Sequence, residues 1–147
     1  MGGARNAARA GKNIDRIADG LASILLGDAG KKLEENFSLR FFETGIIGRL
    51  VDICAHQQHL TLRYFHGIES GCLCGRLQLC AVGELGELGE ALIGIDISEY
   101  AIRFSDGNSF SSHQINADIE HEYIANQIAL RILDAAQSML ADLDAKH

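Results

Sequence analysis

The sequence predicts an α+β domain: N-terminal helices, a central antiparallel sheet of four to five strands, and a long C-terminal helix packed on the sheet. Three observations carry this. Apolar residues recur at helical spacing over residues 13–26, the period falls to two from residue 59, and the helical period returns over 117–145. With 147 residues, 47% apolar and 22% charged, the chain has the size and balance of a single globular domain, 1–147.

Residues 1–12 are basic and alanine-rich and read as an N-terminal extension. They lack the apolar segment of a secretory signal. Asn6 stands where a myristoylation signal needs Ser or Thr. No apolar run approaches the roughly 18 residues that cross a bilayer. A cytoplasmic protein without membrane contact is expected.

Residues 13–58 are expected to be mainly helical. Ile14, Ile17, Ala18, Leu21, Ile24 and Leu25 share one face of a helix, with Asp15, Arg16, Asp19 and Ser23 opposite. Asn13 is placed to cap its start and Gly27 to end it. A short helix follows over 29–36, and 37–42 turns aromatic and strand-like. Residues 45–58 admit two readings. Ile47, Leu50, Val51 and Cys54 fit a helical face, whereas 50–55 also fits a strand; helix is the reading adopted.

Residues 59–115 form the expected sheet. Leu60, Leu62 and Tyr64 alternate with Thr61, Arg63 and Phe65; a loop spans 67–71. Residues 72–82 place Leu77, Leu79 and Ala81 on one face, and 91–98 do the same with Ile93, Ile95 and Ile97. Tyr100, Ile102 and Phe104 continue the alternation. Asp106-Gly107-Asn108 is a hairpin signal joining 101–105 to 109–115. The Gly-Glu-Leu run at 83–90 matches neither G-x-G-x-x-G nor a P-loop, and its glutamates would repel a phosphate. It reads as a flexible acidic connection. Proline is absent, so sixteen glycines punctuate the chain.

In the long helix, 117–145, Glu120, Gln127, Arg131, Asp134, Ser138 and Asp142 form one polar stripe. Ile124, Ile128, Ile132, Ala135, Ala136, Met139, Leu140 and Leu143 fill the opposite side, and Ile119, Tyr123 and Leu130 widen it. A helix lying on one sheet needs an apolar face of only about 100°. This one calls for a second cover: the N-terminal helix of the same chain, or a second copy across a two-fold axis. Ile124, Ile128, Ile132, Met139 and Leu143 are the expected interface.

Chemistry-bearing residues concentrate at Cys54, His56, His59, His66, Cys72, Cys74 and Cys80. Thiolates and imidazoles are zinc ligands. However, Cys72-Leu73-Cys74 has one intervening residue where zinc motifs have two to four, and Cys54-x-His56-x2-His59 matches no standard ligand spacing. Cys54, His56, His59, Cys72 and Cys74 therefore stand as zinc candidates without a favoured site, and no cofactor is expected. Cys72 and Cys74 also lack the Cys-x2-Cys context that activates a thiol. His113, His121 and Asp118 are the acid–base candidates, Asp118 and His121 being one helical turn apart. Residues 67–71 put Ser70 one place late for a nucleophile elbow, and neither H-E-x-x-H nor a kinase signature occurs.

The net charge of −7 is uneven: residues 1–40 carry +2 and residues 84–147 carry −9. Such acidity disfavours nucleic acid and anionic lipid and steers basic partners. Residues 75–85 are similar to the third strand and following loop of type III secretion chaperones, which are small acidic dimers. The helix those proteins place next is here a strand, 91–98, and no family is assigned. The expectation is a non-catalytic protein-binding module of the adaptor, chaperone or immunity kind, self-associating as a homodimer through the C-terminal helix. The alternative is a small-ligand or metal-dependent enzyme with its site between the sheet and the helix ends.

Overall fold

Helical spacing extends further toward the N-terminus than residues 13–26 suggest. The computed structural model, which describes residues 2–116 and 120–145, has helix α1 at Gly2–Leu26. The basic extension is thus mostly the first half of this helix. Asn13 is not a cap: it lies mid-helix, and its side-chain amide donates to Glu99 Oε2 at 2.9 Å. Gly11, Ile14, Ala18, Leu21 and Leu25 make the buried stripe, at alternating spacings of three and four. Gly27 ends α1 as expected. Helix α2, Asp28–Asn36, starts at once, with Asp28 at its positive N-terminal end. The turn is tight: a Cβ on Gly30 would lie 1.7 Å from the Leu25 carbonyl oxygen.

The sheet has seven strands, not four to five. β1 is Leu39–Phe42, β2 Arg49–Ala55, β3 Gln58–Glu69, β4 Cys72–Val82, β5 Leu88–Ile97, β6 Ala101–Phe104 and β7 Ser109–Ser111. They form an antiparallel meander in chain order, curled into a half-barrel. Of the two additional strands, β1 falls on the aromatic stretch 37–42 that reads as strand-like, and β2 falls on 45–58, where helix was the reading adopted. Val51, Ile53 and Ala55 are buried in alternation, a period of two that wins because these residues pair with β3. Ile47, which the helical reading put on the buried face, is fully exposed. β3 also continues through most of the expected 67–71 loop, leaving only Ser70-Gly71 as the turn.

One face of the curl carries Leu39, Val51, Ile53, Leu60, Leu62, Leu77, Leu79, Ile95 and Ile97, all in a single core with α1 and the final helix. That helix, α3, runs His121–Ala145; the expected start at 117 falls on 117–119, outside the described residues. A short 3-10 turn, Ser112–Asn116, precedes it. Ile124, Ala125, Ile128, Ala129, Ile132 and Ala136 face inward, the alanines letting the helix approach closely. Gly75 does the same for α1, since a Cβ there would meet Ile14 Cγ2 at 2.5 Å. No described helix is long and apolar enough to cross a membrane.

Candidate functional site

The fold scatters the acid–base candidates. His113 is exposed in the 3-10 turn. His121 opens α3, and its Nε2–H donates to the Ile115 carbonyl oxygen at 2.7 Å, tying the helix start to the preceding turn. Asp118 lies outside the described residues. The zinc candidates are equally dispersed. Cys54 sits across from His59 on the outer sheet face, Cys72 and Cys74 are on β4, and His56 is in the β2–β3 turn. Among the described residues, no group of three or more His, Cys, Asp or Glu side chains converges on one point. The four cysteines are free. Burial pushes the Cys80 thiol up, against a smaller opposing pull from Arg63 and Arg49, and so makes it a weak nucleophile.

Two polar clusters do form. On one side, Asp15 of α1 accepts from the Tyr64 hydroxyl at 2.5 Å and pairs with His66 Nε2 at 2.7 Å through the same oxygen. Desolvation raises the Asp15 carboxyl, but the hydrogen bonds from Tyr64 and His66, helped by the His66 charge, outweigh it and leave the pKa lowered. Burial and the neighbouring Asp15 raise the Tyr64 hydroxyl, so it stays protonated as a donor. This cluster pins α1 to β3. Its members are 49 and 51 residues apart in sequence, and no local spacing announces it.

The second cluster lies where the polar stripe of α3 meets β5 and β6. Arg131 donates to Asp106 Oδ2 through Nε at 3.0 Å and Nη2 at 2.9 Å, and to the Gln127 carbonyl at 2.8 Å. Its guanidinium stacks 3.7 Å from the Phe104 ring centroid. Beside it a cleft of about 340 Å³ opens between Leu92, Ile93 and Met139 on the apolar side and Ser105, Asp134 and Asp142 on the polar side. The stripe therefore borders a cleft.

The apolar surplus of α3 divides in two. Of the expected interface, Ile124, Ile128 and Ile132 are at most 2% exposed and belong to the core of this chain; Met139 packs against that core and Leu143 is exposed. The N-terminal helices supply part of the second cover in cis: α2 lies along α3, with Lys32 paired to Glu122. Besides Leu143, Tyr123, Leu130 and Leu140 remain outside, at 51%, 52% and 38% exposure. Beside them a groove of about 300 Å³ runs between α2 and α3, walled by Leu33, Phe37, Asn126, Ala129, Leu130 and Leu133.

These surfaces have no counterpart to lean on. No family model, curated protein or solved structure matches this chain. The chemistry of its own residues is the ground for a functional reading.

Proposed function

We propose that this protein is a non-catalytic, cytoplasmic protein-binding module of the adaptor, chaperone or immunity kind, whose working surface is the outer side of α3 with its α2 groove. The observation that carries the reading is the pair of half-exposed residues Tyr123 and Leu130 beside an open apolar groove. Large apolar side chains grouped beside a groove are what a partner surface presents, whereas single exposed ones need no explanation. The free thiols suit a reducing compartment.

A photoreactive amino acid at Asn126, activated in cells, tests the reading. The expected product is a covalent adduct to a polypeptide, lost when Leu130→Asp is added. Absence of any protein adduct would overturn it. The competing reading, a small-ligand enzyme, draws on the α3–β5–β6 cleft, in which Arg131 is held while Asp134 and Asp142 stay free of ion pairs among the described residues. A ligand-dependent chemical shift at Met139 without protein adducts would favour it.

A further inference from the structure

The sheet carries five arginines on its outer face, and two of them stand apart. Arg40, Arg76 and Arg103 each have a carboxylate within 4.0 Å, from Glu34, Asp96 and Glu69 in turn. Arg49 and Arg63 have none among the described residues. They are also register partners, Arg49 on β2 directly opposite Arg63 on β3. Like charges facing each other across a strand pair destabilise a sheet.

A β-bulge creates this pair. Val51 and Ile53 point inward, so regular alternation along β2 would send Arg49 inward as well. The strand instead carries one extra residue, Leu50, between Arg49 and Val51. Leu50 packs against the core, and Arg49 turns outward beside Arg63. Bulges re-aim side chains in this way beside functional sites. Both guanidiniums are then held. Arg49 Nη2 donates to the Gly86 carbonyl oxygen at 2.8 Å, and Arg63 lies over the Phe65 ring, 4.8 Å from its centroid. Both also act on one thiol: Cys80 on β4 feels the charge of Arg63 and of Arg49, against the larger effect of its burial.

We propose that Arg49 and Arg63 bind the dianionic phosphate group of a phosphate monoester. The site lies on the sheet face opposite α3 and stands independently of the protein-binding reading. Two fixed guanidinium forks match a tetrahedral group with three free oxygens, which accept several charge-assisted hydrogen bonds at once. Their two positive charges match the charge of about −2 that a monoester carries near neutral pH. A phosphodiester carries only one, and a chain of net charge −7 disfavours nucleic acid. The neighbouring carboxylates do not fill the site. Glu87 Oε2 accepts from the Leu85 N–H at 3.0 Å within its own loop, Asp52 on β2 lies 4.0 Å from His59, and Glu84 makes no ion pair among the described residues.

Titration of the nitrogen-15-labelled full chain, followed through its arginine Nε–H resonances, tests the proposal. The probes are methyl phosphate and dimethyl phosphate at matched ionic strength, a comparison that needs no variant. Methyl phosphate should shift Arg49 and Arg63 together and bind at least about 10-fold more tightly than dimethyl phosphate. Arg63→Gln should weaken methyl phosphate by about 10-fold or more. Arg63→Lys, which keeps the charge and loses the fork, should recover only part of that loss. Glu84→Gln should not weaken binding. A Gly-Gly-phosphoserine-Gly-Gly peptide separates two sources of the same group, and either outcome upholds the site. Tighter binding than methyl phosphate assigns the group to a phosphorylated polypeptide, and equal or weaker binding to a small phosphorylated molecule. Equal response to the two methyl esters, equal shifts at Arg40, Arg76 and Arg103, or an affinity indifferent to Arg63→Gln would overturn the proposal.

Discussion

At the scale of single residues, Asp15 shows how a surface carboxylate becomes structural. It is half exposed, at 51%, yet two donors from β3 converge on one of its oxygens. Folding lowers its pKa below the ordinary 3.8. A carboxyl depressed in this way contributes stability above its unfolded pKa and loses it as the pH falls through the folded value. Asp15→Asn should therefore cost about 1 kcal/mol at neutral pH, discounted for solvent screening, and close to nothing well below pH 3.8. Urea denaturation of both proteins at the two pH values measures this. An equal deficit at both would show that the charge of Asp15 is irrelevant. Asp15 and Tyr64 were each legible as members of an amphipathic helix and an alternating strand. Their meeting was not, because it depends on how α1 crosses the sheet.

At the scale of elements, the β2–β3 hairpin explains why β2 was read as helix. Its turn consists of His56 and Gln57, at φ 49° and 64°, between the paired residues Ala55 and Gln58. A two-residue turn with both φ positive favours Asn-Gly, and neither residue here advertises it. Asp106-Gly107, by contrast, was read correctly as a turn, with Gly107 at φ 96°. Replacing His56-Gln57 by Asn-Gly should stabilise the protein by about 1 kcal/mol, since non-glycine residues are disfavoured in this conformation. Thermal unfolding would register it as a higher midpoint, and a lower one would mean that the His56 ring does more for packing than its backbone costs. Helix α3 was the most legible element. Its length, its polar stripe and the helical recurrence of its apolar residues mark it as helix from local pattern alone.

At the scale of the whole molecule, neighbouring positions on α3 belong to different environments. Ile128 is 2% exposed and sits in the core shared by α1, α3 and the sheet, whereas Leu130, two residues on, is 52% exposed. Ile128→Asp buries an unpaired carboxylate and should destabilise the fold by more than about 4 kcal/mol. Leu130→Asp should leave the unfolding of the dilute chain within about 0.5 kcal/mol of the original. Chemical denaturation of both variants separates the two faces; equal losses would place Leu130 in the core as well.

The amino-acid sequence alone determined that the domain is α+β, the helices at its two ends and the apolar excess of the final helix, because these follow from local periodicity. The number of strands was decided by tertiary structure, since residues 50–55 satisfy both periods and only pairing with β3 separates them. Which part of the α3 surplus is core was also a tertiary decision. The curl of the sheet and the position of α2 draw that line, and it leaves Ile124, Ile128 and Ile132 inside and Tyr123, Leu130 and Leu140 outside.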